Sequence, residues 1–170
     1  MQFKISSLSL LFAVAFFLNS CSSDTDNPQP EHISSPAHIS ASVYTYTSFE
    51  DQTLALVNSY RASIGLKTLE KSNYISFQSE EHDQYMIANN VVSHDNFDVR
   101  YRNITTTLGA VKVGENIAYN YNSAEAVLNA WLKSPTHKEC IEGDYSHFGI
   151  AIRTSPEGKI YITNIFAKLK

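Results

Sequence analysis

The chain has 170 residues, of which 43% are hydrophobic and 12% aromatic, and its formal net charge is -4 at pH 7. This length and apolar content predict one core-bearing domain and exclude a wholly disordered protein. Because 17 acidic residues outnumber 13 basic ones and the basic residues form no run, a nucleic-acid-binding function is also excluded.

Residues 1–20 predict a signal peptide that ends directly before Cys21. Lys4 precedes an apolar run of about a dozen residues, which is too short to span a membrane. The end of this run, Leu-Asn-Ser-Cys at 18–21, resembles the bacterial lipobox, in which the cysteine becomes the lipidated first residue of the mature protein. We therefore expect an exported protein anchored to a bacterial membrane through Cys21, with an ordinary signal peptide and an incidental cysteine as the alternative.

A solvated tether is predicted for residues 21–48, because Ser, Asp, Asn, Pro, Thr and His dominate there and large aliphatic residues are almost lacking. Its acidic start, 22–26, resembles the short signals that some outer-membrane lipoproteins use to reach the cell surface; a plain spacer is the alternative. The folded domain is predicted to occupy residues 49–170.

Two helices are predicted at the start of this domain. Ser48 is a candidate N-cap with Asp51 as its acidic partner, and apolar residues at helical spacing follow until a glycine. Ser72 is the candidate N-cap of the second helix, which the pattern carries to about Asn90. His82 lies on the inward stripe of that helix, where we expect a hydrogen-bonded core histidine and not a ligand.

The middle of the domain is less regular. Residues 91–95 lead into a polar loop, residues 96–108 show no readable pattern, and 115–119 predict a strand. Asn122 is the candidate N-cap of a third helix, with Glu125 three residues later, and Pro135 is expected to stop this helix.

The end of the chain predicts an antiparallel β-hairpin. Its strands are 148–152 and 159–166, and the turn at 155–158 contains the proline and the glycine that such a connection favours. Helices followed by strands, with one helix between them, indicate an α+β layered domain and not a doubly wound sheet.

Glu115 is the candidate around which a functional site would form, since it is the one charged side chain in an otherwise uncharged strand segment. Three histidines that could contact it stand on either side in the sequence: His94, His137 and His147. Imidazole and carboxylate groups build both divalent-metal sites and acid–base pairs. We therefore expect the fold to bring these four side chains together.

Five motifs in this order resemble the bacterial branch of the CAP superfamily, the SCP-like domain shared with cysteine-rich secretory proteins, antigen 5 and plant pathogenesis-related 1. The motifs are Leu-Val-Asn-Ser-Tyr-Arg at 56–61, Ser-His at 93–94, Gly-Glu-Asn-Ile-Ala at 114–118, Ala-Trp at 130–131 with Ser-Pro-Thr-His at 134–137, and Tyr-Ser-His-Phe-Gly at 145–149. The resemblance covers residues 49–170. It implies an α-β-α sandwich with an antiparallel sheet between helical layers.

The resemblance also implies a central cleft lined by two histidines and two glutamates. His94 and His147 correspond to the two histidines, and Glu115 to the glutamate of the Gly-Glu-Asn motif. Ser134 stands where animal relatives carry the second glutamate, three residues after the tryptophan. The Ser-Pro-Thr-His motif matches bacterial relatives, so we expect His137 to take part of the vacated space and to line the cleft as well.

Three imidazoles and one carboxylate suit Zn²⁺ better than Ca²⁺, so His94, His147 and Glu115 are candidate ligands for zinc or another divalent cation. The alternative is a cleft network in which Glu115 only accepts hydrogen bonds from the two histidines and no metal is bound.

The function favoured by the resemblance is a binding module without enzymatic activity, since relatives bind lipids or sterols and act at cell surfaces. The ligand would be a lipid, a sterol, a cell-wall component or another surface ligand, and Tyr119, Tyr121 and Tyr145 could contact it. The alternative function is a divalent-metal-dependent hydrolase with Glu115 as general base. Cys140 has no partner in the mature chain and is expected to be a small buried hydrophobe.

Overall fold

A four-stranded sheet with helices on both faces makes up the part of the chain that the structure, a computed structural model, describes, residues 43–170. In chain order the elements are α1 (Ser48–Ser63), β1 (Glu70–Lys71), α2 (Asn73–Asn89), α3 (Phe97–Leu108), β2 (Ala110–Tyr119), α4 (Ala124–Lys133), α5 (Pro135–Glu142), β3 (His147–Thr154) and β4 (Ile160–Leu169). The predicted α+β sandwich is confirmed.

The sheet has the strand order β1-β3-β4-β2. The predicted hairpin is β3 with β4, and β2 pairs antiparallel with the other side of β4. The two-residue strand β1, which no sequence pattern indicated, pairs parallel with β3, so the sheet is mixed and not purely antiparallel. The strand that carries Glu115 is therefore an edge strand.

Alternation along the strands sends apolar side chains into two separate cores. On one face, α1, α4 and α5 cover Phe148, Ile150, Ile162 and Phe166, with Trp131 of α4 fully inside. On the other face, α2 and α3 cover shorter rows of apolar residues from β2 and β4. Burial on both faces explains why β4 reads as a nearly continuous apolar run.

Two predicted helix caps are displaced by one residue. The N-cap of α1 is Thr47, which forms a full capping box with Glu50, and not Ser48 with Asp51. The N-cap of α4 is Ser123, and not Asn122. Neighbouring residues with similar capping ability cannot be separated by propensity alone.

Helix α3 lies in the segment 96–108, where the sequence showed no readable pattern. Its buried side chains are Arg100 and Ile104 only, so the apolar stripe that normally reveals a helix is missing from the sequence. Helix α4 ends at Lys133, before Pro135, as the sequence predicted. Pro135 then opens α5 in its first helical turn, where its missing N–H leaves no hydrogen bond unmade.

The domain begins before the predicted boundary at residue 49. Tyr44 is buried and its hydroxyl donates to Glu50 at 2.9 Å. The Tyr46 hydroxyl forms a 2.9 Å hydrogen bond with Ser76 of α2. The predicted signal peptide, Cys21 and nearly all of the predicted tether lie outside the described residues. Among residues 43–170, no helix has the length and apolar character needed to cross a membrane.

Candidate functional site

Two neighbouring residues of the edge strand β2 form hydrogen bonds with two histidines, one on each face of the sheet. Consecutive side chains of a strand point to opposite faces, so Glu115 and Asn116 reach in opposite directions. Glu115 accepts a hydrogen bond from Nδ1 of His94 at 2.8 Å, on the side covered by α2 and α3. Asn116 donates from Nδ2 to the backbone carbonyl of His137 at 2.9 Å, on the side of α5.

Arg100 forms a buried, two-point ion pair with the Glu115 carboxylate. Its Nε donates to Oε2 at 2.7 Å and its Nη2 to Oε1 at 2.8 Å, and the two side chains are only 6% and 2% exposed. Burial alone would raise the pKa of Glu115, but the hydrogen bonds from His94 and Arg100 outweigh it and lower this pKa. The carboxylate is therefore ionised at neutral pH with its charge compensated.

The loop that carries His94 is fixed from the core. Nε2 of His82 lies 2.8 Å from the carbonyl oxygen of Ser93, and His82 is buried on α2 as the sequence predicted. Because Nε2 must donate to a carbonyl, Nδ1 of His82 carries the lone pair. Burial is the main reason that the pKa of His82 is lowered, which keeps the ring neutral.

The geometry also sets the chemistry of His94. Nδ1 of His94 is engaged by Glu115 at 2.8 Å, so Nε2 is the ring nitrogen that is left for a ligand. The His94 side chain is 55% exposed, so this nitrogen can form a hydrogen bond with a hydroxyl or amide group of a ligand.

A cleft of about 350 Å³ lies between the two histidines. Its lining residues are Val92, Ser93, His94, Ile117, Ala118, Tyr119, Tyr121 and His137. The pKa of His137 is lowered, first by burial and then by the nearby His94. The cleft therefore combines apolar walls, two tyrosines and two imidazoles, and the lining itself contains no carboxylate.

These side chains do not fit the predicted metal ion. Oε1 of Glu115 accepts from both His94 and Arg100, and Oε2 accepts from Arg100, so a guanidinium already occupies the side of the carboxylate where a cation would bind. Within residues 43–170, no group of three or more His, Cys, Asp or Glu side chains is arranged to hold a metal. The predicted ligand set of His94, His147 and Glu115 is thus not assembled.

The prediction that His147 lines the cleft requires correction. His147 pairs with Ala167 of β4, whose other neighbour is Val113 of β2. It therefore lies two strands from β2, about 10 Å away, and Glu115 is two residues further along. Its Nε2 is instead 3.5 Å from Oε2 of Glu70. Motif order along the chain does not reveal this register.

His147 does contact a serine and a carboxylate, but the trio lacks the properties of a nucleophilic site. Ser146 Oγ is 2.9 Å from Nδ1 of His147 and also accepts from the backbone N–H of Leu169 at 2.9 Å. Glu70 is 82% exposed. A serine oxygen that accepts from the backbone and an outer carboxylate that is mostly exposed do not form an activated nucleophile.

Of the other candidate residues from the sequence, some line the cleft and some do not. Tyr119 and Tyr121 line it, whereas Tyr145 is buried against Phe166. Cys140 is half-buried, and burial raises its pKa to about 12, in line with an unreactive thiol. A larger depression of about 580 Å³ lies near Arg61 and Lys168, but these cations are engaged by backbone carbonyls and by Asp144.

Two residues essential to this geometry were missed by sequence reasoning. Arg100 fell in a segment with no readable periodicity, and Asn116 was quoted only as part of a motif. The one signal for Arg100 was indirect: a carboxylate inside an apolar strand requires a cationic or hydrogen-bonding partner, and few basic residues were available.

Comparisons with known proteins agree with this architecture. The family model for the cysteine-rich secretory protein family (CAP) matches residues 54–166. The uncharacterized membrane protein YlbC of Bacillus subtilis is 32% identical over 128 residues, which cover 72% of this chain and 35% of YlbC. The chain thus spans about a third of that relative's length.

Two solved structures share the fold. An outer surface protein from Borrelia burgdorferi has a TM-score of 0.65 at 19% identity, and the match covers 75% of this chain and all of that one. An extracellular protein with an SCP domain from Bacillus anthracis has a TM-score of 0.61 at 23% identity, covering 70% of this chain and 40% of that one.

Proposed function

The chain belongs to the cysteine-rich secretory protein (CAP) family, and we propose that it is a binding module of the bacterial envelope whose ligand occupies the cleft between His94 and His137. The proposed module works without a metal ion and without turnover. Its ligand is a component of the envelope, which includes the lipid, cell-wall and surface ligands that the family resemblance suggests.

One observation carries this proposal: both oxygens of Glu115 are engaged by Arg100 and His94 at 2.7 to 2.8 Å. A general base must present a free lone pair to the proton that it removes. Three of the about four acceptor sites of Glu115 are taken, and its side chain is 2% exposed, so the remaining site is shielded from a substrate. In this geometry the carboxylate orients an imidazole for ligand contact.

The proposed location rests on the start of the chain and on the relatives. The signal-peptide pattern followed by Cys21 predicts export with a lipid anchor. The relatives are described as a membrane protein, an outer surface protein and an extracellular protein. These descriptions support a place outside the cytoplasm, where an anchored domain on a tether could retain a ligand near the membrane.

The test is retention of the full chain, made with Cys21→Ala, on an envelope fraction from the cells that naturally produce it. The double variant His94→Ala/His137→Ala removes both imidazoles of the cleft, and His147→Ala is the matched control outside it. We expect at least a tenfold loss of retention for the double variant, no change for the control, and no effect of a chelator.

Three results would count against the proposal. One is equal retention of all variants, and another is release by the chelator. The third is stoichiometric Zn²⁺ uptake that depends on His94, together with hydrolysis that Glu115→Gln abolishes, since this combination would establish the metal-dependent hydrolase.

A further inference from the structure

The floor of the cleft is a strand edge whose outward direction follows from the register. The N–H of Asn120, just after β2, donates to the carbonyl of Ile160 at 2.7 Å, so this is a hydrogen-bonded pair. In antiparallel sheets such pairs alternate with pairs that are not bonded to each other. Even-numbered residues of β2 therefore bond to β4, and Ile117 and Tyr119 direct their N–H and C=O groups away from the sheet.

One of these outward groups has a partner. The indole N–H of Trp131 donates to the carbonyl of Ile117 at 2.9 Å, which agrees with the direction derived from the register. In residues 43–170, neither side chains nor loop backbone form a hydrogen bond with the N–H of Ile117 or with the N–H and C=O of Tyr119.

These backbone groups line the cleft and have no hydrogen-bond partner among the side chains and loops of residues 43–170. Ile117 is only 7% exposed, and Ile117 and Tyr119 both line the cleft. Backbone polar groups that are shielded from bulk water are nearly always hydrogen-bonded in folded proteins. No proline, lysine or bulge blocks the edge at 117–119, although natural edge strands usually carry such protection.

We propose that the cleft takes an extended peptide segment of a partner protein, which adds to the free edge of β2 at residues 117–119. This inference rests on the proposed binding function of the cleft and names the class of its ligand. Main-chain hydrogen bonds to the N–H of Ile117 and to the N–H and C=O of Tyr119 would supply affinity, as in other cases of strand addition.

The side chains on the walls of the cleft would contact those of the added segment and select among them. Successive side chains of an added strand point to opposite faces, as those of β2 do. One side chain would face His94, and the next would face His137 on the other side of the edge. Because Nε2 of His94 is left for a ligand, a hydroxyl or amide side chain, which can form a hydrogen bond with it, is favoured at the position that faces it.

The test selects a phage-displayed random heptapeptide library on the full chain carrying Cys21→Ala, with His94→Ala/His137→Ala for counter-selection. An enriched peptide, made with acetylated and amidated ends, is then titrated while amide hydrogen exchange is followed by NMR. We expect exchange at Ile117 and Tyr119 to slow by at least tenfold. Neighbouring amides that already bond to β4 should change less.

Two substitutions at one position isolate the backbone contribution. Tyr119→Pro and Tyr119→Val both remove the phenol ring, but only proline removes the outward N–H, and an edge strand tolerates proline at such a position. We expect the peptide to bind the proline variant roughly tenfold more weakly than the valine variant, the size of one lost hydrogen bond. Equal binding, unchanged exchange, or no enriched peptide would overturn the proposal.

The envelope retention assay separates this inference from the function on which it rests. If the cleft histidines are needed for retention while the proline and valine variants behave alike, the binding module stands and strand addition is refuted. If the histidines are not needed either, both fail.

Discussion

The buried ion pair between Arg100 and Glu115, called the clamp below, predicts a large loss of stability for Arg100→Met. This substitution removes both guanidinium hydrogen bonds and leaves a buried carboxylate with His94 as its remaining partner. Removing one partner of a buried ion pair typically costs about 3 to 5 kcal/mol. Because both side chains are almost fully buried, solvent screening gives no reason to reduce this range.

The cost should depend on pH with a defined sign. In the natural chain the pKa of Glu115 is lowered, so its stabilising contribution is present above the unfolded pKa and is lost as the pH falls through the folded value. In Arg100→Met, burial dominates and raises the pKa. The stability of the variant should then decrease as the pH rises, and its deficit should be larger at pH 8 than at pH 5.

Urea unfolding followed by circular dichroism at these two pH values measures the effect. Arg102→Met is the matched control on the same helix, since its pair with Asp98 is mostly exposed and should contribute about 0.5 kcal/mol or less. Arg100→Met/Glu115→Gln should recover much of the loss, because the buried charge is gone. A cost below about 1 kcal/mol at pH 8, or a double variant as unstable as the single one, would refute the clamp.

Three further predictions concern the rest of the domain. Asp83 accepts a hydrogen bond from Thr163, and burial raises the pKa of its carboxyl well above the usual range. Its stabilising contribution is therefore complete below the unfolded pKa and is lost as the pH rises through the folded pKa. Asp83→Asn should remove this pH dependence of stability, as measured by urea unfolding at several pH values. Trp131→Phe keeps an aromatic ring in the core but loses the indole hydrogen bond to β2. The free energy of unfolding should fall by about 1 kcal/mol, which a lower thermal midpoint would show. An unchanged midpoint would show that the bond does not stabilise the domain. Tyr44→Phe should destabilise the domain by about 1 kcal/mol, because the Tyr44 hydroxyl links Glu50 to Arg153. An unchanged urea midpoint would show that Tyr44 does not stabilise the domain and would favour the predicted start at residue 49.

Several features of the fold could be predicted from local sequence. The amphipathic patterns of α1 and α2 and the β-rich runs of the hairpin identify elements whose type depends on periodicity and turn chemistry. Ser72 caps α2 as predicted, whereas the N-caps of α1 and α4 differed by one residue, since adjacent residues compete for the same role. Helix α3 could not be found because its buried face consists of one isoleucine and one arginine, and the burial of this arginine depends on a carboxylate fifteen positions later in the chain.

The candidate site was predictable only where neighbours in sequence decide it. Alternation within β2 places Glu115 and Asn116 on opposite faces, and this is a local property of a strand. Which histidines meet them depends on the order of strands and the docking of loops. His94 and His137 reach the edge strand, whereas His147 lies two strands away on β3.

By itself, the sequence determined the class of the fold, the order of most elements and the membership of the family, because these follow from periodicity, turn residues and motif order. The tertiary structure decided that β2 is an edge strand, that Arg100 neutralises Glu115 and that the cleft contains two histidines without a metal ligand set. Such features depend on contacts between residues far apart in the chain. Their energies come from burial and pairing in three dimensions, which no local pattern encodes.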